Sequence, residues 1–537
     1  MTTPMTGGAR HLARTAPRTP RTDPARHPAR PGTAGGALLH RRHPARPRRH
    51  HCPARARHPG PGRSRPAATR APGLPRLPRA ARPPPGLPGR RHGGRHSLRG
   101  TGDRPGPRRL PGLLRRGLGL LPERIDRALR RFAAELPDLP WAVNLIHSPS
   151  EDALERDGVE LLLRHGVRCV EASAYLDLTP HVVRYRVAGL HRGRDGRVVA
   201  ANRLIAKVSR PEVAERFMRP APQAITADLL ARGLITAEQA ELARYVPLAD
   251  DVTAEADSGG HTDRRPLTAL FPALLETRDA IQREMRYPVP VGLGAGGGIG
   301  TPHAAAAAYA MGADYVVVGS VHQSCLESGT SEPARRLLAE AGLADCEMAP
   351  AADMFELGVE LQVLKKGTLF PMRAKRLYEL YQRHDGIEAL PEEELRRLEK
   401  QIFRRPVEEV WQEVEAYFAR RDPDQLRRAA AVPRRRMALL FRWYLGMASR
   451  WAVTGEADRT ADFQVWCGPA MGAFNAWARG TYLAAPENRR AADVAGHLLR
   501  GAAYTARVHQ LALAGVRLPR SCAEYRPAPP TAEGERR

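Results

Sequence analysis

From about residue 118 the apolar positions fall into a repeating alternation of strand and helix patterns. LLPERIDRALRRFAAELPDL (residues 120–139) is apolar at 125, 129, 132 and 133, the spacing of an amphipathic helix. PWAVNLIHSP (140–149) is a short apolar run closed by polar residues and Pro, and predicts a buried strand. EDALERDGVELLLRHG predicts a helix stopped by Gly166, VRCVEAS (167–173) a strand, LTPHVVRYRVAGL a helix and NRLIAKVS (202–209) a third strand. DVTAEADSGG, PVPVGLGAGGGIG (288–300) and ADYVVVGS (313–320) predict three more, separated by the helical RPLTALFPALLETRDAIQREM and TPHAAAAAYAMG. The alternation argues for parallel β/α units. Polar or glycine-rich residues follow the strands repeatedly, as on the rim where a TIM-type (β/α)8 barrel carries its chemistry.

Beyond Met354 the pattern turns helical. VEEVWQEVEAYFARR puts Val407, Val410, Trp411, Val414, Tyr417 and Phe418 on one face, and Trp443 and Trp451 read as core. The expected organisation is a barrel over 117–350, a helical region over 351–519 and a flexible tail over 520–537.

Charge changes the picture at one end only. The net charge of +28 suggests a nucleic-acid binder, but residues 1–120 hold 28 Arg, two Asp and no Lys or Glu, leaving +2 for the rest of the chain. Residues 1–116 also hold 22 of the 49 prolines, without helix or strand periodicity. They read as a disordered Arg/Pro-rich segment that would bind nucleic acid or an acidic partner, or as a translation of GC-rich DNA in a shifted frame. The lack of Lys and of any aromatic residue for base stacking argues against nucleic acid. Six scattered cysteines without CxxC spacing predict neither a metal site nor a disulfide framework, and fit a reducing cytoplasm. No apolar run is long enough to span a bilayer.

Two stretches carry candidate chemistry. In GLGAGGGIGTP, Gly296, Gly297 and Gly298 would expose successive backbone amides ahead of a helix N-terminus, a phosphate cradle. Gly319-Ser320 supplies a second small turn after the next strand, as in barrels that share a phosphate between their last two loops. No Lys-Ser/Thr follows, so this is not a P-loop. In ADSGGHTD (256–263), Ser258, Gly259 and Gly260 precede His261, a residue able to carry a proton near neutral pH. A tight turn with a solvated histidine fits those eight residues as well.

Several long motifs in one order resemble the PfaD family of trans-acting enoyl reductases of polyunsaturated fatty acid and polyketide synthases. They are PWAVNLIHSP, VEASAYLDLTPHVVRYR, EADSGGHTDRRP, GAGGGIGTP, LKKGTLFPMRAKRLYELY, FRWYLGMASRWA and VWCGPAMGAFNAW. More distantly the barrel is similar to FMN-dependent enoyl-ACP reductases and nitronate monooxygenases. The resemblance implies an FMN-binding barrel that uses NADPH or NADH to reduce an enoyl thioester on an acyl carrier protein. By the same resemblance the turns at Gly297-Gly298 and Gly319-Ser320 hold the FMN phosphate and Asn144 and Lys207 line the flavin. Ser258, Gly259 and Gly260 lie against its ring or ribityl chain, and His261 is the active-site acid. Lys365 and Lys366 are candidate contacts for carrier-protein phosphates and Arg434-Arg435-Arg436 for an acidic carrier protein, each against the plainer reading of a solvated charge run. A nitronate monooxygenase-like oxidase is the alternative within enzymes, and a basic nucleic-acid-binding protein the alternative outside them.

The family's first two strands, resembling AGAMANGI and AGMLGSFGAAGL, are missing from the sequence as written. Codon degeneracy allows RRHGGRH (90–96), read from the second base, to spell Gly-Ala-Met-Ala-Ala-Gly-Ile. RRLPGLLRR (108–116) likewise allows Ala-Gly-Phe-Leu-Gly-Ser-Phe-Gly-Ala. The expectation is a barrel incomplete at its first two strands, with the frame shifted up to about Gly117.

Overall fold

The computed structural model describes residues 122–529, apart from 138–140, 148, 150 and 151; the readings of residues 1–116 lie outside the described residues. Its strands are β1 (Val143–Ile146), β2 (Cys169–Ser173), β3 (Leu190–Arg192), β4 (Val198–Ala200), β5 (Arg203–Val208) and β6 (Asp251–Glu255). They continue with β7 (Gly260–His261), β8 (Gly292–Gly296), β9 (Tyr315–Val317), β10 (Cys346–Pro350) and β11 (Glu360–Leu364). Six of them form one parallel sheet in the order β1-β2-β5-β6-β8-β9. Each new strand is added on the same side of the last, the winding of a (β/α)8 barrel. Among the described residues the winding shows six strands, with β1 and β9 at its edges.

The strands are buried on both faces because helices cover the outside and side chains fill the inside. β8 shows how the interior is packed. Its sequence GLGAG turns a glycine inward at every second position, and the space is taken by neighbours: Asp251 at Gly292 and the Tyr315 ring at Gly294. That ring's hydroxyl meets Thr253 Oγ1 at 2.9 Å, closing a polar layer beneath the rim. The strand therefore occupies Gly292–Gly296, C-terminal to the PVPV run that suggested it. Helix starts follow the local chemistry: Thr179 and Thr301 cap helices with Pro at their first turn, and Thr236 forms a capping box with Gln239.

Two small antiparallel sheets escape the periodicity. β3 and β4 form a surface hairpin, and β10-β11-β7 form a three-stranded sheet. In the latter, β10 and β11 pair from Cys346↔Leu364 to Pro350↔Glu360. The composition boundary at 350/351 thus falls inside this pair, and regular helix resumes only at Phe370. Beyond it, Phe355, Phe370, Phe403, Phe441 and Tyr444 form an aromatic core with Trp451 packed at its edge. Fully buried Asp462 gathers Tyr444, Arg459 and Arg373. The helix Ala491–Leu513 lies on the barrel helix Pro302–Ala310, with Gly501 against the ring of Pro302. The part of the tail that is described is held there: Tyr525 OH bonds His497 Nδ1 at 2.7 Å and its ring packs beside Tyr504. Among the described residues no helix is long and apolar enough to cross a membrane.

Candidate active site

The C-terminal ends of the six barrel strands open into a cleft. It gathers residues distant in sequence: Asn144 from β1, Lys207 from β5, Glu255 from β6, His261 from β7, Gly296 at the end of β8 with Gly297-Gly298 after it, and Gly319-Ser320 after β9. Ser258 and Gly259 also line it, whereas Gly260 does not. Sequence reasoning therefore placed all but one of its site residues on this cleft. The parallel winding is what assembles them, since every strand delivers its C-terminal end to the same rim.

The glycines divide into two groups. At Gly298 (φ +71°) and Gly319 a Cβ would meet nothing within 4 Å, so these positions face open space in the cleft. Gly297 (φ +87°) is different, because its Cβ would sit 2.7 Å from the Ala256 carbonyl carbon. Gly259 and Gly260 are needed for packing. Their Cβ atoms would lie 2.7 Å from the backbone nitrogen of Cys467 and 2.7 Å from the Trp466 ring. The two glycines before His261 thus admit a neighbouring loop of the protein, and the space a side chain would need there is not ligand space.

Polar side chains in the cleft hold one another. The Lys207 ammonium pairs with Glu255, which also accepts from Ser258 Oγ at 3.1 Å. Asn144 Nδ2 donates to Ser173 Oγ at 2.7 Å, which links the first two rim strands. Gln362 Nε2 donates to Asp257 Oδ1 and to the Ser258 carbonyl, each at 2.8 Å, fixing the loop that leads to His261. Ser320 Oγ accepts from the Gly468 amide at 3.0 Å. Beyond these, His261 Nε2 lies 3.1 Å from Asp353 Oδ1, and Trp466 stands edge-on to the imidazole at 5.7 Å. Burial alone would push the Asp353 carboxyl up. The charge and hydrogen bond of His261, with help from Arg442, outweigh this and hold it below the usual carboxylate range.

Asp353, Glu255, Trp466 and Gln362 are members of the site that the sequence did not disclose. Asp353 lies 92 positions after the histidine it meets. Trp466 reaches the cleft from the helical region through a bridge to Val363. Only Glu255 carried a signal, being the last residue of a strand that ends on the rim.

The candidate carrier-protein contacts fare differently. Arg434 lies over the Tyr381 ring and 3.9 Å from Asp385, Arg435 pairs with Glu356, and Arg436 with Glu388 and Glu408, so all three arginines are engaged within the chain. Lys365 and Lys366 are both exposed, and Lys366 Nζ donates to the Glu340 carbonyl at 2.7 Å.

Comparison with known proteins agrees with this architecture. Residues 384–463 match the inserted helical domain of acyl-carrier-protein S-malonyltransferase. The chain is 52% identical over 403 residues to a polyunsaturated fatty acid synthase subunit of Thraustochytrium sp., covering 74% of this chain and 27% of that one. It is 42% identical over 382 residues to polyketide biosynthesis protein PksE of Bacillus subtilis, covering 71% of this chain and 49% of PksE. It therefore spans half or less of the length of these curated relatives. Among solved structures, the enoyl reductase domain of MlnA, from the macrolactin cluster of Bacillus amyloliquefaciens, has a TM-score of 0.70 at 36% identity. That match covers 74% of this chain and 89% of the MlnA domain. With so much of a whole domain shared in both sequence and fold, the chain belongs to the PfaD-like family of enoyl reductases.

Proposed function

We propose that the protein is an FMN-dependent enoyl reductase acting in trans on enoyl thioesters carried by an acyl carrier protein, with NADPH or NADH as electron source. The observation that carries this reading is the cleft. It joins two small-residue turns, a lysine and a histidine on the rim of one barrel. The fit to a flavin phosphate is supported by the open space over Gly298 and Gly319, where backbone can approach an anion. Lys207 adds a cation to the same wall.

When bound, FMN would supply the hydride. The chain's own residues supply the remainder. The turns at Gly297-Gly298 and Gly319-Ser320 would hold the phosphate, and Asn144 and Lys207 would line the ring. Ser258 and Gly259 shape the wall between them. His261 would give the proton that the reduced thioester needs at its α-carbon or enolate oxygen. Such a positioned acid contributes typically ~10²–10⁴-fold.

The test is direct. Purified full-length protein should bind FMN, show oxidised-flavin absorbance and reduce a carrier-linked enoyl thioester with a nicotinamide. His261→Ala should slow that reduction by roughly 10²–10⁴-fold while flavin stays bound. A protein that ignores added FMN, or a His261→Ala variant of unchanged rate, overturns the reading. Turnover of nitroalkanes in place of enoyl thioesters would favour a nitronate oxidase.

A further inference from the structure

His261 does not stand alone. Its strand, β7, is two residues long and exists by pairing with β11, His261 opposite Leu361. The segment joining β10 to β11 brings Asp353 to the Nε2 edge of the ring, so one small sheet supplies both members of the pair. Both side chains are largely shielded, at 16% and 13% exposure, and the Trp466 edge closes a further side of the imidazole at an interplanar angle of 86°. Nε2 is taken by Asp353, and Nδ1 has no hydrogen bond among the described residues. Behind the carboxylate stands Arg442, itself 3.5 Å from Glu356, which also takes Arg435. The helical region thus backs the pair with a row of alternating charge. Across the cleft the charged groups are Lys207, Glu255 and Asp257.

We propose that Asp353 is a positioning residue that fixes the His261 tautomer and ring plane, so that Nε2–H points at the carboxylate and Nδ1 is the atom that exchanges a proton with substrate. This deepens the enoyl reductase reading and rests on it. A carboxylate beside Nε2–H excludes the tautomer with its lone pair there, and it stabilises the doubly protonated ring. In the proton-transfer step the Nδ1–H bond breaks and a C–H bond forms at the α-carbon, whose electron pair was created by hydride addition at the β-carbon. The ring is left neutral, Asp353 stays ionised, and solvent returns the proton to Nδ1. Substrate meets only the Nδ1 side.

Three measurements on the full chain test this. The first needs no turnover: nitrogen-15 histidine NMR of the wild-type protein should show neutral His261 with its proton on Nε2. A proton on Nδ1 overturns the proposal, whatever the variants do. The second is Asp353→Asn. It should retain FMN, lose at least about tenfold in kcat/KM but no more than His261→Ala loses, and move the alkaline fall of the pH–rate profile to lower pH. The third is the double variant Asp353→Asn/His261→Ala, which should be no slower than His261→Ala alone. A further multiplicative loss in the double variant, or a pH profile unmoved by Asp353→Asn, shows a role in folding or elsewhere. If His261→Ala itself has no effect, the underlying enoyl reductase reading fails. If only the Asp353 results depart, the positioning role fails and that reading survives.

Discussion

Two adjacent glycines should answer differently to the same substitution. Gly297 and Gly298 both sit at positive φ, +87° and +71°, where an alanine costs about 1–2 kcal/mol in backbone strain. Their surroundings separate them. A Cβ on Gly297 meets the Ala256 carbonyl carbon at 2.7 Å, its oxygen at 2.9 Å and the Asp257 nitrogen at 3.0 Å, all backbone of the loop leading to His261. That clash adds roughly 1–3 kcal/mol, as overpacking does in a close-packed site. A Cβ on Gly298 meets nothing within 4 Å. Gly298→Ala should therefore lose about 1–2 kcal/mol, and Gly297→Ala about 2–5 kcal/mol. Ligand binding should expose a second effect. The methyl group of Gly298→Ala occupies the proposed cradle and displaces a charge-assisted hydrogen bond of about 1.5–3 kcal/mol. That corresponds to roughly ten- to a hundredfold weaker FMN binding. Urea unfolding followed by circular dichroism without flavin gives the first comparison, and quenching of flavin fluorescence gives the second. Equal unfolding midpoints for the two variants would refute the packing argument. Unchanged FMN affinity in Gly298→Ala would refute the cradle.

Other outcomes follow from buried polar groups and from the reading frame. Glu155 is buried and takes His147 Nδ1 at 2.7 Å, Tyr175 OH at 2.8 Å and the Thr179 hydroxyl, tying together the loops after β1 and β2. Burial pushes its carboxyl up, but these bonds outweigh that and hold it below the ordinary value near 4.5. Its stabilisation is therefore complete above that value and lost as pH falls through the folded one. Glu155→Gln should cost about 1–3 kcal/mol at neutral pH and flatten the acid limb of stability against pH, measured by urea unfolding from pH 7 to 3. Arg489, only 1% exposed, donates to Leu483 O, Asn475 Oδ1, Ser324 Oγ and Ala484 O and lies over the Phe474 ring. Arg489→Ala strands those acceptors and should cost about 3 kcal/mol or more, read from the denaturation midpoint. A gene read from the second base up to about residue 117 should yield protein that retains FMN more tightly than the chain as written. Equal flavin content in the two products would count against the shifted frame.

The sequence disclosed the barrel because its strands are buried on both faces and read as short apolar runs between amphipathic helices. It disclosed the cleft because small and polar residues follow those strands. What it hid has physical causes. β7 is set by pairing with the distant β11, and at two residues it has no periodicity of its own. The glycines of ADSGGHTD look alike in sequence, yet whether each faces a ligand or Cys467 and Trp466 is decided by a loop some 200 residues later. The same holds in β8, where the alternate glycines fit a barrel interior shared with Tyr315. The charge run is ambiguous in sequence, a docking patch or a solvated face; Arg434, Arg435 and Arg436 in fact meet a ring and carboxylates of the same chain.

The segment from Trp466 to Ala470 has a consequence for protein engineering. It inserts between the loops of the barrel mouth, with Cys467 on Gly259, Gly468 bonded to Ser320 and Ala470 against Gly300. A graft that moved only the strand-and-helix repeats into another protein would leave behind one lip of the cleft and the indole set against His261. The transplantable unit therefore ends beyond the helix Ala470–Ala478, and swap junctions drawn at the apparent change of character near residue 350 would cut through the working parts.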